Sequence, residues 1–82
     1  MSLNAPAFRA YLRSRQYSPD YIASVMRRLT AAEAAGVTEA DILHCTPMQL
    51  SRKVYGNNVS KSVRKAITTV QNRYCDYLGA TA

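Results

Sequence analysis

The side chains best equipped for chemistry in this sequence are its cations. Arg52, Lys53, Lys61, Arg64 and Lys65 fall in one stretch, residues 51–74, that holds six bases and no acid. Between and beyond them lie Ser51, Asn57, Asn58, Ser60, Ser62, Thr68, Thr69, Gln71 and Asn72. Cations that neutralise phosphates release counterions, and hydroxyl and amide groups hydrogen-bond to phosphate oxygens or base edges, so this mixture suits a nucleic-acid backbone. A second basic pair, Arg27 and Arg28, follows Tyr21. Tyr21 and Tyr55 each stand near an expected helix end among polar residues. There a phenol can rest its ring on the fold and offer its hydroxyl to a phosphate. The plainer reading of the same charges is a solvated face without a ligand.

Other chemistry finds little support. His44 and Cys45 are the one pair suited to metal or thiol work, but adjacent residues on a helix point in different directions, and the chain has a single histidine. No Ser-His-Asp set can be assembled from that histidine, the five acids form no close pairs, and no glycine-rich phosphate loop is present. The expectation is a chain without catalytic residues, metal, cofactor or small-molecule substrate. Cys45 and Cys75 are expected to be partly buried small apolar residues.

The charges are segregated along the chain. Residues 1–32 hold five Arg and one Asp, and residues 33–50 hold three acids and no Lys or Arg. The net charge of +6 therefore comes from the two flanking segments. Cations in the first turns of a helix meet the positive end of its macrodipole, which is unfavourable unless an anion compensates. With 82 residues, 48% of them apolar and 20% charged, the chain is too hydrophobic for a disordered basic tail and long enough for one modest core. A single domain over residues 1–82 is expected, with an ordered core over about residues 5–79. Its apolar runs are far shorter than the roughly 20 residues that cross a bilayer. No charged leader with an apolar block opens the sequence, and cysteine is sparse, so a cytoplasmic protein is expected.

The elements that must position these residues are helical. Asn4 can cap a first helix with Pro6 in its opening turn; Phe8, Tyr11, Leu12 and Arg15 follow at helical spacing, to an end near Tyr17. Ser18-Pro19 starts a second helix over residues 19–35, with Ile22, Val25, Met26, Leu29 and Ala32 on one face and Gly36 as its left-handed stop. Thr38 to Asp41 predicts a short capped turn. Thr46-Pro47-Met48-Gln49 predicts a capping box before a third helix that carries Met48, Leu50 and Val54 and ends at Gly56-Asn57-Asn58. The last helix begins near Ser60, aligns Val63, Ile67, Val70, Tyr74, Tyr77 and Leu78, and closes at Gly79. The fold class expected is all-α: a compact four-helix bundle of two hairpins with an additional short helical turn.

The succession Phe8-Arg9-Ala10-Tyr11-Leu12, Tyr17-Ser18-Pro19-Asp20-Tyr21-Ile22, Leu29, Gly36 to Ile42, and Ser60 to Tyr74-Cys75-Asp76-Tyr77-Leu78 resembles a known pattern. It is similar to the N-terminal core-binding (SAM-like) domain of tyrosine recombinases, the phage integrase family, over about residues 5–79. The resemblance implies a helical bundle that clamps one side of recombination-site DNA, with two helices near the major groove. It assigns cleavage to a separate C-terminal domain, so none of the six tyrosines here is expected to be a nucleophile. Carried over, the second and last helices approach DNA and bring Arg27, Arg28, Lys61, Arg64 and Lys65 with them. The partners implied are double-stranded DNA and neighbouring recombinase protomers on it. The rival expectation is a stand-alone helical protein-interaction module that does not bind DNA.

Overall fold

The structure, a computed structural model, describes residues 3–81. Five helices follow one another: α1 (Ala5–Ser14), α2 (Pro19–Ala34), α3 (Glu39–His44), α4 (Pro47–Tyr55) and α5 (Lys61–Thr81). No strand forms among the described residues. Helices α1 and α2 make one hairpin and α4 and α5 another, with α3 as the short element between them. α5 is the axis of the fold, because each of the other four helices packs on it.

The starts of these helices are written in local chemistry. Asn4, Ser18, Thr38, Thr46 and Ser60 each accept a hydrogen bond on the side-chain oxygen from the amide three residues on. At Thr38 and Thr46 the bond is reciprocal, with Asp41 and Gln49 accepting from the cap amide. Each such cap contributes about 1 kcal/mol.

The helix ends differ more from expectation. α1 stops at Ser14 rather than near Tyr17, because Gln16 takes a left-handed conformation (φ 63°). The Gln16 amide then reaches the Arg13 carbonyl and the Tyr17 amide reaches that of Leu12, a Schellman closure built without glycine. Arg15 is consequently the exposed C-cap and not part of the apolar stripe. The same closure at Gly36 (φ 83°) sets the Val37 amide on the Ala32 carbonyl, and both side chains are buried. α5 runs through Gly79 to Thr81 instead of closing there.

The core is one cluster. Phe8 and Leu12 of α1, Leu29 of α2, Leu50 of α4 and Tyr74 of α5 are fully or almost fully buried within it, joined by Leu3, Val37 and Ile42. Phe8, Tyr74 and Tyr77 form an aromatic nucleus with centroids 4.9–5.9 Å apart, tilted or edge-on, and Tyr11 adds a fourth ring beside Tyr77 at 5.8 Å. Met48, placed on the apolar stripe by its spacing, is instead 38% exposed at the start of α4.

Candidate nucleic-acid interface

α2 and α5 lie antiparallel, with the N-terminal end of α2 held on the later part of α5. Tyr17 and Tyr21 stack at 4.7 Å, and Arg73 Nη1 donates to the Tyr17 hydroxyl at 2.7 Å. Towards the other end, Arg28 donates to the Tyr55 hydroxyl of α4 at 3.0 Å and rests 5.8 Å above that ring. Arg28 is therefore half-buried and oriented, while Arg27 beside it is exposed. Tyr55 accepts from an arginine of its own chain.

Two grooves flank α5. The first, about 250 Å³, lies between α2 and α5 and brings together Tyr21, Ser24, Arg27, Arg28, Ala66 and Thr69. The second, about 240 Å³, lies where α4 begins beside α5 and is lined by Pro47, Lys61, Arg64, Lys65 and Thr68. At about 100° per residue, Lys65 stands only about 40° around the helix from Thr69, so it occupies the crest between the grooves. Neither groove has an acid in its lining. The structure thus brings Tyr21, Arg27 and Arg28 into one groove and Lys61, Arg64 and Lys65 into its neighbour.

Arg52 and Lys53 belong to different surroundings. Both sit in the last turn of α4, where cations favour the negative end of the macrodipole. Lys53 Nζ is 2.8 Å from Asp41 Oδ2. That ammonium, followed by the Thr38 amide, holds the Asp41 carboxyl below its usual range, and Asp41 in turn raises the Lys53 ammonium. Arg52 is exposed and lines neither of the two grooves.

Several polar residues of the acid-free stretch serve the fold. Ser51 is completely buried and its hydroxyl donates to the Pro47 carbonyl at 2.8 Å. Gln71 is buried, and its Nε2 donates to the carbonyls of Ile42 (3.0 Å) and Cys45 (2.7 Å), closing the C-terminal end of α3 on α5. The Thr68 and Thr69 hydroxyls donate to the Arg64 and Lys65 carbonyls one turn back. Asn57, Asn58, Ser60, Ser62 and Asn72 remain exposed. The Ser60 hydroxyl already accepts from the Val63 amide, which leaves fewer free amides at the start of α5 than an uncapped helix would offer.

A third groove, not anticipated from the sequence, lies between α1 and α2. It encloses about 400 Å³ and carries Arg9, Arg13 and Arg27 around Ile22, Met26 and Thr30. Arg9 and Arg13 are one helical turn apart, a spacing visible in the sequence. Their approach to Arg27 depends on the α1–α2 hairpin and has no local signal. His44 is exposed, Cys45 and Cys75 are half-buried free thiols, and burial pushes the Cys75 thiol up. No group of three His, Cys, Asp or Glu side chains gathers among the described residues, and no described helix is long and apolar enough to cross a membrane. No family model, curated protein or solved structure matches the chain.

Proposed function

We propose that this chain is a non-catalytic DNA-binding domain of the phage-integrase type of tyrosine recombinase, gripping duplex DNA mainly through its phosphates in the cytoplasm. The observation that carries the DNA-binding part is the meeting of Arg27, Arg28, Lys61, Arg64 and Lys65 on two neighbouring grooves with no carboxylate in their linings. Such a surface repels itself and is stabilised by a polyanion. The recombinase assignment rests on the sequence resemblance, which puts the second and last helices, α2 and α5, against DNA. Tyr21, stacked on Tyr17 and lining the α2/α5 groove, adds a candidate hydroxyl contact to this reading.

Five phosphate contacts give a slope of log affinity on log salt of about −4 to −5. Fluorescence anisotropy with a labelled duplex tests this reading. Binding that weakens along such a slope supports it, and no binding at about 50 mM salt, or binding indifferent to salt, overturns it.

One observation favours the second reading, a protein-interaction module. Leu43 on α3 is 55% exposed and Met48 at the start of α4 is 38% exposed. Size-exclusion chromatography with and without duplex separates the two, since the DNA-binding reading requires a shift with duplex alone.

A further inference from the structure

We infer that the α1/α2 groove is a second phosphate-binding furrow, in which Arg9, Arg13 and Arg27 hold a DNA backbone. The inference rests on the DNA-binding reading and extends it to residues outside α2 and α5.

Three guanidiniums share one space of about 400 Å³ with no acid in its lining. Arg9 and Arg13 are like charges one turn apart on α1, an arrangement that weakens a helix unless an anion sits between them. The floor is apolar, because Ile22 and Met26 are buried, so it offers the guanidiniums no acceptor. Thr30, at the margin, has its hydroxyl turned to the Met26 carbonyl. A phosphodiester matches this chemistry, since guanidinium presents a planar fork of donors to paired phosphate oxygens.

Arg27 joins the furrow to the α2/α5 groove, because it lines both. The furrow is thereby continuous with the basic surface that the DNA-binding reading assigns to phosphates, and a backbone held along one can run on into the other.

The test compares the wild-type chain, R9A/R13A and R64A/K65A by anisotropy on a short labelled duplex over a salt series, with thermal melting as the folding check. Seven cations on phosphates predict a wild-type slope of about −6, and R9A/R13A shallower by nearly two. Its affinity should drop about 10- to 100-fold at 0.1 M salt, on all sequences alike. R9Q/R13Q, which keeps the side-chain stems, should show the same change in slope if charge and not packing is responsible. If R9A/R13A and R9Q/R13Q keep the wild-type slope and affinity while R64A/K65A loses binding, the furrow lies off the DNA and only this inference fails. If the wild-type chain itself leaves the duplex unbound, the DNA-binding reading fails and the inference falls with it.

Discussion

Between Gln71 and Tyr77, α5 commits Gln71, Arg73 and Tyr74 to the fold, whereas between Lys61 and Lys65 the same helix carries three cations with no carboxylate partner among the described residues. In the later segment Gln71 closes α3, and Arg73 joins the Tyr17 hydroxyl and the Asp76 carboxylate. The Tyr74 hydroxyl accepts from the Asn4 amide and donates to Glu39 at 2.7 Å. Burial, ahead of its neighbours, pushes the Tyr74 phenol well above its ordinary range, so it stays a neutral donor. Near this end the acids Glu39, Asp41 and Asp76 all have partners; near the other the bases face open grooves. Unequal use of charge along one helix separates the part that holds the bundle together from the part free to meet a ligand.

The sharpest way to break this contrast is to exchange the effects of mutation between the two ends. Reversing two charges at the basic end, R64E/K65E, should weaken duplex binding on the order of 100-fold at 0.1 M salt. It should leave the melting temperature nearly unchanged, as anisotropy and calorimetry would show. At the structural end, Tyr74→Phe should do the opposite. It takes the acceptor from the partly buried Asn4 amide bond and removes a donor from Glu39, costing about 1–3 kcal/mol of stability in urea titration with little change in the affinity of the folded protein.

Tyr55→Phe probes the junction between the ends. Arg28 loses its acceptor but keeps the ring beneath it, so duplex affinity should fall about 2- to 5-fold, in line with the loss of one hydrogen bond. The smallest expected effect concerns pH. Asp41 has a folded pKa below its ordinary 3.8, so its contribution to stability is fully present above that value and is lost as pH falls through the lowered one. Melting curves between about pH 5 and 2 should show this loss in the wild-type chain and a shallower dependence in D41N.

How far the sequence foretells this molecule depends on the range over which each signal acts. Caps act over three residues, and Asn4, Ser18, Thr38, Thr46 and Ser60 all stand where their spacing puts them. The stripe of α5 acts over a few turns and correctly buries Ile67, Val70, Tyr74 and Tyr77. The end of α1 is obscured because Gln16, a residue with little preference for the left-handed region, does the work of glycine. Burial of Leu3 and Val37 depends on chain that lies outside the helical periodicity, and that of Ser51 and Gln71 on carbonyls they find at Pro47, Ile42 and Cys45.

The site divides in the same way. Lys61, Arg64 and Lys65 share a helix face by their spacing alone. The separation of Lys53, through Asp41, and the approach of Arg9 and Arg13 to Arg27 are tertiary facts. Counting bases in a segment finds the positive charge but not which cations a carboxylate already holds.

The most direct measurement is an amide NMR titration of the chain with a short duplex. Shifts concentrated at residues 58–66 and around Arg27 and Arg28, with residues 39–44 and 71–78 almost unmoved, are what the division of α5 predicts. Shifts centred on α3 and the later half of α5, with the basic end silent, would contradict it.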